Sequence, residues 1–225
     1  MDALRLVNGL PDAIPRTLPL FSLNNRSEWK YEVITDKSVG GRSTASFHVA
    51  KLPGGGVGGV FEGVIYSDTV TDFSLPEDQH ELPKLGFAIL TIQRKDGAAK
   101  KAASRRGRVV DAYDYDALSL RCITDGRLYS LSLRGATPYA PDLAYQGNAL
   151  DLAYQGYIMA PHSKTFQNML LPFENFVATR GGRLMNSPRR LDLARIDLVS
   201  FSVADHVRGP FRFVFEEMHA TEPYA

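Results

Sequence analysis

The stretch "ALSLRCITDGRLYSLSLRG", residues 117–135, decides the fold class. Apolar and polar residues alternate on both sides of Asp125-Gly126, a pair suited to a two-residue turn that needs positive φ. Placed as a β-hairpin with Thr124 opposite Arg127, the stretch sets Cys122 across from Tyr129, Leu120 from Leu131 and Leu118 from Leu133. Those six share one apolar face, while Ser119 meets Ser132 and Arg121 meets Ser130 on the other. A slip of one residue destroys the match, so the reading predicts two adjacent antiparallel strands.

The same alternation extends outward. Strands are expected at Ser46–Val49, Val60–Tyr66, Gly86–Gln93, Asp197–Val203 and Phe211–Phe215, the last with three Phe side chains on one face. Only short helices fit, near Pro172–Phe176 and Leu191–Ala194. Many short strands between Gly and Pro turns make an all-β chain, a sandwich or a barrel. Within this single-domain frame, residues 1–27 read as an N-terminal extension, 28–220 as the domain and 221–225 as a tail. Three segments read as insertions: an acidic loop at 68–83, a basic loop at 96–108, and a loop at 135–153.

Composition excludes more than it names. A chain of 225 residues can bury a core without a disulfide or metal staple. Its 26 Lys and Arg balance 25 Asp and Glu, so net charge points to no partner. The one cysteine, Cys122, cannot pair internally, which suits a reducing compartment. Its place on the apolar face predicts a buried small hydrophobe rather than a reactive thiolate. No apolar stretch approaches the roughly 18 to 20 residues of a membrane span. The first 21 residues carry neither a secretory pattern nor a clear organelle presequence: Pro interrupts the apolar run, and Arg5 and Arg16 are its only basic residues.

Signals for chemistry are weak. "GGGVGG" at 54–59 satisfies G-x-G-x-x-G in letters, but Pro53 precedes it and the strand-like "VFEGVIY" follows, whereas a dinucleotide cradle opens a helix. The five histidines, His48, His80, His162, His206 and His219, show no metal-ligand spacing, and no G-x-S-x-G elbow exists. The reading is therefore a non-enzyme with no cofactor and no metal. The basic loop, with Lys100, Lys101, Arg105, Arg106 and Arg108, is the candidate contact for an anionic partner, either RNA phosphates or lipid headgroups.

Six features in order resemble the family of complex I intermediate-associated proteins. "EWKYEVITDKSVGGRSTASF" supplies Trp29, Asp36, Gly40, Gly41 and Ser43; "FEGVI" and "LGFAIL" follow; Asp125, Gly126, Arg127 and Tyr129 match an Asp-Gly-Arg-x-Tyr turn. "FQNMLLPFENF" supplies Pro172, Phe173 and Phe176, and the closing strands surround Gly209, Pro210 and Phe211. Leu85 stands where a second Gly is usual and Phe166 where a Trp is usual. The resemblance implies a galactose-binding-like jelly-roll sandwich, a mitochondrial matrix location peripheral to the inner membrane, and complex I subunits or membrane-arm assembly intermediates as partners. It implies a role as assembly factor or retained accessory component of respiratory complex I. A carbohydrate-binding-module-like glycan binder and an RNA-associated organelle factor are the alternatives. Trp29, Phe173 and Phe176 suit either core or surface anchors, and Arg134, leaving the polar face of the 117–135 stretch, is a candidate contact.

The hexapeptide "DLAYQG" occurs at 142–147 and again at 151–156. A period of nine turns a strand or a helix by about half a revolution, so Tyr145 and Tyr154 cannot do one job in one element. The resemblance implies that Tyr154 enters a strand leading to the Pro-Phe motif, so Tyr145 is expected to be more exposed in a spare copy.

Overall fold

A computed structural model describes residues 17–23, 29–52, 56–71, 81–84, 86–94, 115–135, 152–180, 183–185 and 196–222. The strands are β1 (Thr17–Phe21), β2 (Trp29–Thr35), β3 (Thr44–Lys51), β4 (Val57–Ile65) and β5 (Asp68–Thr71). Next come β6 (Glu81–Lys84), β7 (Ala88–Arg94), β8 (Ala117–Thr124), β9 (Tyr129–Gly135) and β10 (Leu152–Ile158). Last are β11 (Gln167–Pro172), β12 (Val177–Arg180), β13 (Arg183–Leu184), β14 (Ile196–Val203) and β15 (Gly209–Thr221).

They form two antiparallel sheets around one core. A six-stranded sheet runs β11-β8-β15-β4-β3 with β1 also on β15, and a seven-stranded sheet runs β13-β12-β10-β9-β14-β7-β2. Strands β5 and β6 pair with each other, at the two ends of the acidic segment. Aromatic rings interlock between the layers. Phe201 of β14 lies 5.1 Å from Phe213 and 4.7 Å from Phe215 of β15, and Tyr129 of β9 lies 4.8 Å from Phe213. Such pairs contribute about 0.5–1.5 kcal/mol each beyond the area they bury.

The 117–135 stretch is not a hairpin. Strand β8 pairs with β11 and β15, while β9 pairs with β10 and β14, so the chain crosses from one sheet to the other. All six apolar side chains are buried, as their alternation requires. Alternation fixes which face is buried, and two strands meet that demand equally side by side or stacked about 10 Å apart across a core. The turn itself tells them apart. Of its two central residues only Gly126 takes positive φ, at 87°, whereas the tight hairpin turns need it at the first residue, Asp125, as well or instead.

Strand β15 outruns its expected length. Its alternation breaks between Phe215 and Met218, where Glu216 and Glu217 together face Arg121 in a β-bulge. Up to the bulge, one edge of β15 pairs with β4; beyond it, that edge is taken by β1. A 3-10 turn at Phe173–Asn175 lies in one expected helical stretch. The other, Leu191–Ala194, lies outside the described residues, as do the basic loop and the first DLAYQG copy with Tyr145.

Candidate functional site

Register places one end of the sandwich in detail. Thr35, Ala88, Val203, Tyr129 and Ile158 are successive neighbours in a row across β2, β7, β14, β9 and β10. Just beyond that row the chain crosses between sheets through residues 36–43, 125–128, 159–166 and 204–208. Three of the resemblance motifs sit in or beside these crossings.

The first crossing is tied by a buried carboxylate. Asp36, 2% exposed, accepts hydrogen bonds from the Ser43 amide and the Ser43 hydroxyl, both at 2.8 Å. The Ser43 hydroxyl in turn accepts from the Tyr66 amide at 3.0 Å, fastening the crossing to the end of β4. Gly40 takes φ 84°, and a Cβ on Gly41 would stand 2.1 Å from the Asp36 Cγ. The Asp, the two glycines and the Ser are thus one device: a bend tight enough to fold over its own carboxylate.

The second tie joins two crossings. Arg127 donates through Nε to Asp205 at 2.9 Å and through Nη2 to the other Asp205 oxygen and the Val207 carbonyl. Its Nη1 donates to the Gly209 and Pro210 carbonyls, each at 3.1 Å. All five N–H groups are used, a fork only Arg supplies. The hydrogen bond to Asp205 raises the Arg127 pKa against the opposing effect of burial. Burial works against the Asp205 charge, yet the Arg127 and Val207 hydrogen bonds hold its pKa below the ordinary value. Asp125 completes the network, accepting from the Arg127 amide, the Tyr129 hydroxyl and the Arg212 amide. Burial and Asp125 push the Tyr129 pKa up.

The remaining motif residues frame the core. Trp29 is buried edge-on to Phe21 at 5.2 Å, and Tyr154, Phe176 and Phe211 are buried. Phe176 fills the space that a side chain at Gly156 would need, with its ring 2.9 Å from a Cβ there. Phe173 is half-buried beside Phe176, Pro172 pairs with Ala117 at the end of β11, and Gly209 takes φ 138°. Arg134 is the exception: it is exposed on the outer face of the seven-stranded sheet.

That outer face carries a central patch of hydroxyls beside the charges of Lys30, Glu32 and Arg134. Ser130, Ser132, Ser200, Ser202 and Thr91 lie on adjacent strands; Ser130 and Ser202 share a hydrogen bond, as do Thr91 and Ser200 at 3.2 Å. Gln155 and an exposed Tyr157 continue the surface on β10. The six-stranded sheet instead presents ion pairs, Arg121 with Glu216 at 2.6 Å and Arg212 with Glu62 at 3.1 Å. The hydroxyl face was missed in the sequence, although "YSLSL" and "VSFSV" place a Ser at every second residue.

Among the described residues, reactive groupings are sparse. Ser22 donates to Glu217 at 2.7 Å and His219 contacts the other Glu217 oxygen at 3.3 Å, so the carboxylate separates hydroxyl from imidazole and no nucleophile–base pair forms. Burial raises the Cys122 thiol to about 12. Gly58 and Gly59 lie inside β4, which leads to no helix, and Phe47 and Phe215 pass against Gly59. An open groove of about 430 Å³, lined by Glu62, Val64, Asp125, Pro210, Phe211 and Arg212, follows the β4–β15 edge. Among the described residues no group of three His, Cys, Asp or Glu could hold a metal ion, and no helix is long and apolar enough to cross a membrane.

One likeness to known proteins is of structure and another is of sequence. The family 11 carbohydrate-binding module of the cellulosomal cellulase Lic26A-Cel5E of Clostridium thermocellum superposes with a TM-score of 0.56 at 13% identity, over 93% of this chain and 96% of that one. The same type of module in complex with a β-1,3-1,4-mixed-linked tetrasaccharide gives 0.54 at 14%, over 95% and 99%. These likenesses establish the jelly-roll sandwich fold. In sequence, the mouse "Complex I intermediate-associated protein 30, mitochondrial" is 23% identical over 87% of this chain and 55% of its own length. Its Neurospora crassa counterpart is 22% identical over 67% and 49%. The chain spans about half the length of these relatives, whose names place them in mitochondria. The family model described as complex I intermediate-associated protein 30 matches residues 21–215, and the chain belongs to that family.

Proposed function

We propose that the chain is a non-enzymatic interaction protein that assists assembly of mitochondrial respiratory complex I, or stays with the complex as an accessory component. Its partners are complex I subunits or membrane-arm intermediates, met on the matrix side at the periphery of the inner membrane. The family match over residues 21–215 carries the reading. The motif residues inside that span favour scaffold over catalysis: Asp36, Ser43 and Arg127 spend their polar atoms on the fold itself. Partner contact then falls to exposed positions such as Arg134. Affinity purification from native mitochondrial membranes tests it, with complex I subunits expected among the partners. Unchanged complex I intermediates after depletion of the protein would refute the reading.

A second reading rests on the outer face of the seven-stranded sheet. Hydroxyls and amides beside an exposed Tyr157 supply the mix of hydrogen-bonding groups and aromatic surface that sugar rings use. Calorimetry against mixed-linkage β-glucan oligosaccharides checks it. A response lost in Tyr157→Ala supports a glycan site, and no heat from any oligosaccharide removes it.

A further inference from the structure

The Asp125-Gly126 step turns the chain, and it is also a pair of residues open to a change of the backbone itself. The Gly126 amide nitrogen can attack the Asp125 Cγ, which expels one water and closes a five-membered succinimide ring. One water then reopens the ring, at the side-chain carbonyl to restore Asp or at the main-chain carbonyl to give isoaspartate. Glycine puts no Cβ in the way of that attack. The reaction needs no enzyme, metal or oxidant, only freedom for the carboxyl group to swing over the amide that follows it.

The fold withholds that freedom. Asp125 Oδ1 accepts from the Arg127 amide at 3.1 Å and the Tyr129 hydroxyl at 3.0 Å, while Oδ2 accepts from the Arg212 amide at 2.7 Å. The carboxyl group is thus held by both oxygens, to the turn itself, to β9 and to β15. Gly126 is held as well. It takes φ 87°, and a Cβ there would stand 3.2 Å from the His162 backbone nitrogen, so the crossing 159–166 lies against it. That crossing is fastened in turn: the Ser163 amide donates to the Thr124 carbonyl at 3.0 Å, and the Thr124 hydroxyl points at the Ala160 and Pro161 carbonyls at 3.3 and 3.1 Å. On the other side, Arg127 binds the turn to the crossing 204–208 through Asp205.

We infer that Asp125-Gly126 is a guarded isomerisation site, shut in the folded chain and released when its crossing opens. The product makes the opening permanent. Isoaspartate carries the main chain through Cβ and Cγ, which lengthens the turn by one methylene and leaves the carboxylate directly on Cα. The Tyr129 hydroxyl and the Arg212 amide then lose the acceptor that the native turn sets between them. A chain that stays open long enough to isomerise does not rebuild the joined crossings, which converts a reversible opening into a one-way loss. The inference concerns ageing of the fold rather than a partner, so it is independent of the complex I reading. Asp96-Gly97 and Asn8-Gly9 share the same local chemistry and lie outside the described residues, so isoaspartate has to be read site by site.

The test ages the full chain at physiological pH and temperature beside a synthetic peptide of residues 123–131, and measures isoaspartate at position 125 by proteolysis and electron-transfer mass spectrometry. The folded chain should isomerise at least about tenfold more slowly than the peptide, because only its open fraction reacts. In denaturant the chain and the peptide should age alike. Tyr129→Phe, which removes one donor, should raise the folded rate about threefold or more. The combined Arg127→Met, Asp205→Leu variant, which removes the lock between crossings, should raise it further. In a partly aged sample, brief thermolysin digestion should leave intact chains depleted of isoaspartate at position 125. The inference is overturned if the folded wild type ages as fast as the peptide, or if Tyr129→Phe, folded by circular dichroism, ages at the wild-type rate. A chain that stays slow in denaturant would place the protection in the local sequence and overturn it too. So would protease-resistant chains that keep isoaspartate at position 125 in full proportion.

Discussion

Two carboxylates hold the same end of this sandwich by opposite means. Asp36 is buried and accepts from the Ser43 hydroxyl and amide, and the chain bends so tightly over it that Gly41 has no room for a side chain. Asp205 is held by a guanidinium that also gathers three backbone carbonyls. The first tie is local, joining residues seven apart; the second joins crossings 78 residues apart in sequence. A short-range tie shapes one bend, whereas a long-range one sets how two crossings sit against each other. The two should therefore fail differently.

Arg127→Met should produce the largest loss, about 3–5 kcal/mol, because it leaves Asp205 buried without its cation and frees three carbonyls. Chemical denaturation measures it. The comparison sharpens with a second change: Arg127→Met combined with Asp205→Leu should recover a large part of that loss. Asp36→Ala comes next, at about 1–3 kcal/mol, since the Ser43 amide is left without its acceptor in a dry site. No partner substitution should rescue it. Gly41→Ala should cost about 1–3 kcal/mol by forcing Asp36 out of position, and less in the Asp36→Ala background, where the obstructing carboxylate is gone.

Acid probes the Asp205 tie directly. The Asp205 pKa is lower folded than unfolded, so its stabilisation is complete above the ordinary carboxylate value of about 4 and disappears as pH falls through the depressed folded value. Thermal melts below that pH should fall more steeply for wild type than for the Arg127→Met, Asp205→Leu variant. The smallest effect concerns Cys122. Burial keeps its thiol protonated far above neutral pH, so iodoacetamide at pH 8 should leave it unmodified in the folded protein and label it in denaturant.

The same contrast explains what the sequence made legible. Local features were readable: Asp36, Gly40, Gly41 and Ser43 fall within eight residues, and their tie lies within the segment. The faces of β8 and β9 were readable too, because burial follows a period of two. Their partners were not. Leu118, Leu120 and Cys122 face Tyr129, Leu131 and Leu133 in either arrangement, and the choice of a crossing is stabilised by Arg127 with Asp205, remote in sequence. Asp205 carries no local signal that marks it as an ion-pair partner. The expected strand ended at Phe215, and the bulge at Glu216-Glu217 that carries it on to the core-facing Met218 lay beyond that reading.

The position of β15 sets an order on folding. It lies between β8 on one edge and β4 and β1 on the other, and Thr17 pairs with Thr221. Without β15, β4 has only β3 and β8 only β11 beside it, and the six-stranded sheet is two separated pairs with open edges. Sheet formation is then a late, long-range event, slow by the usual dependence of rate on contact order. Insertion of β15 between β8 and β4 completes the six-stranded sheet and brings Phe213 and Phe215 against Phe201.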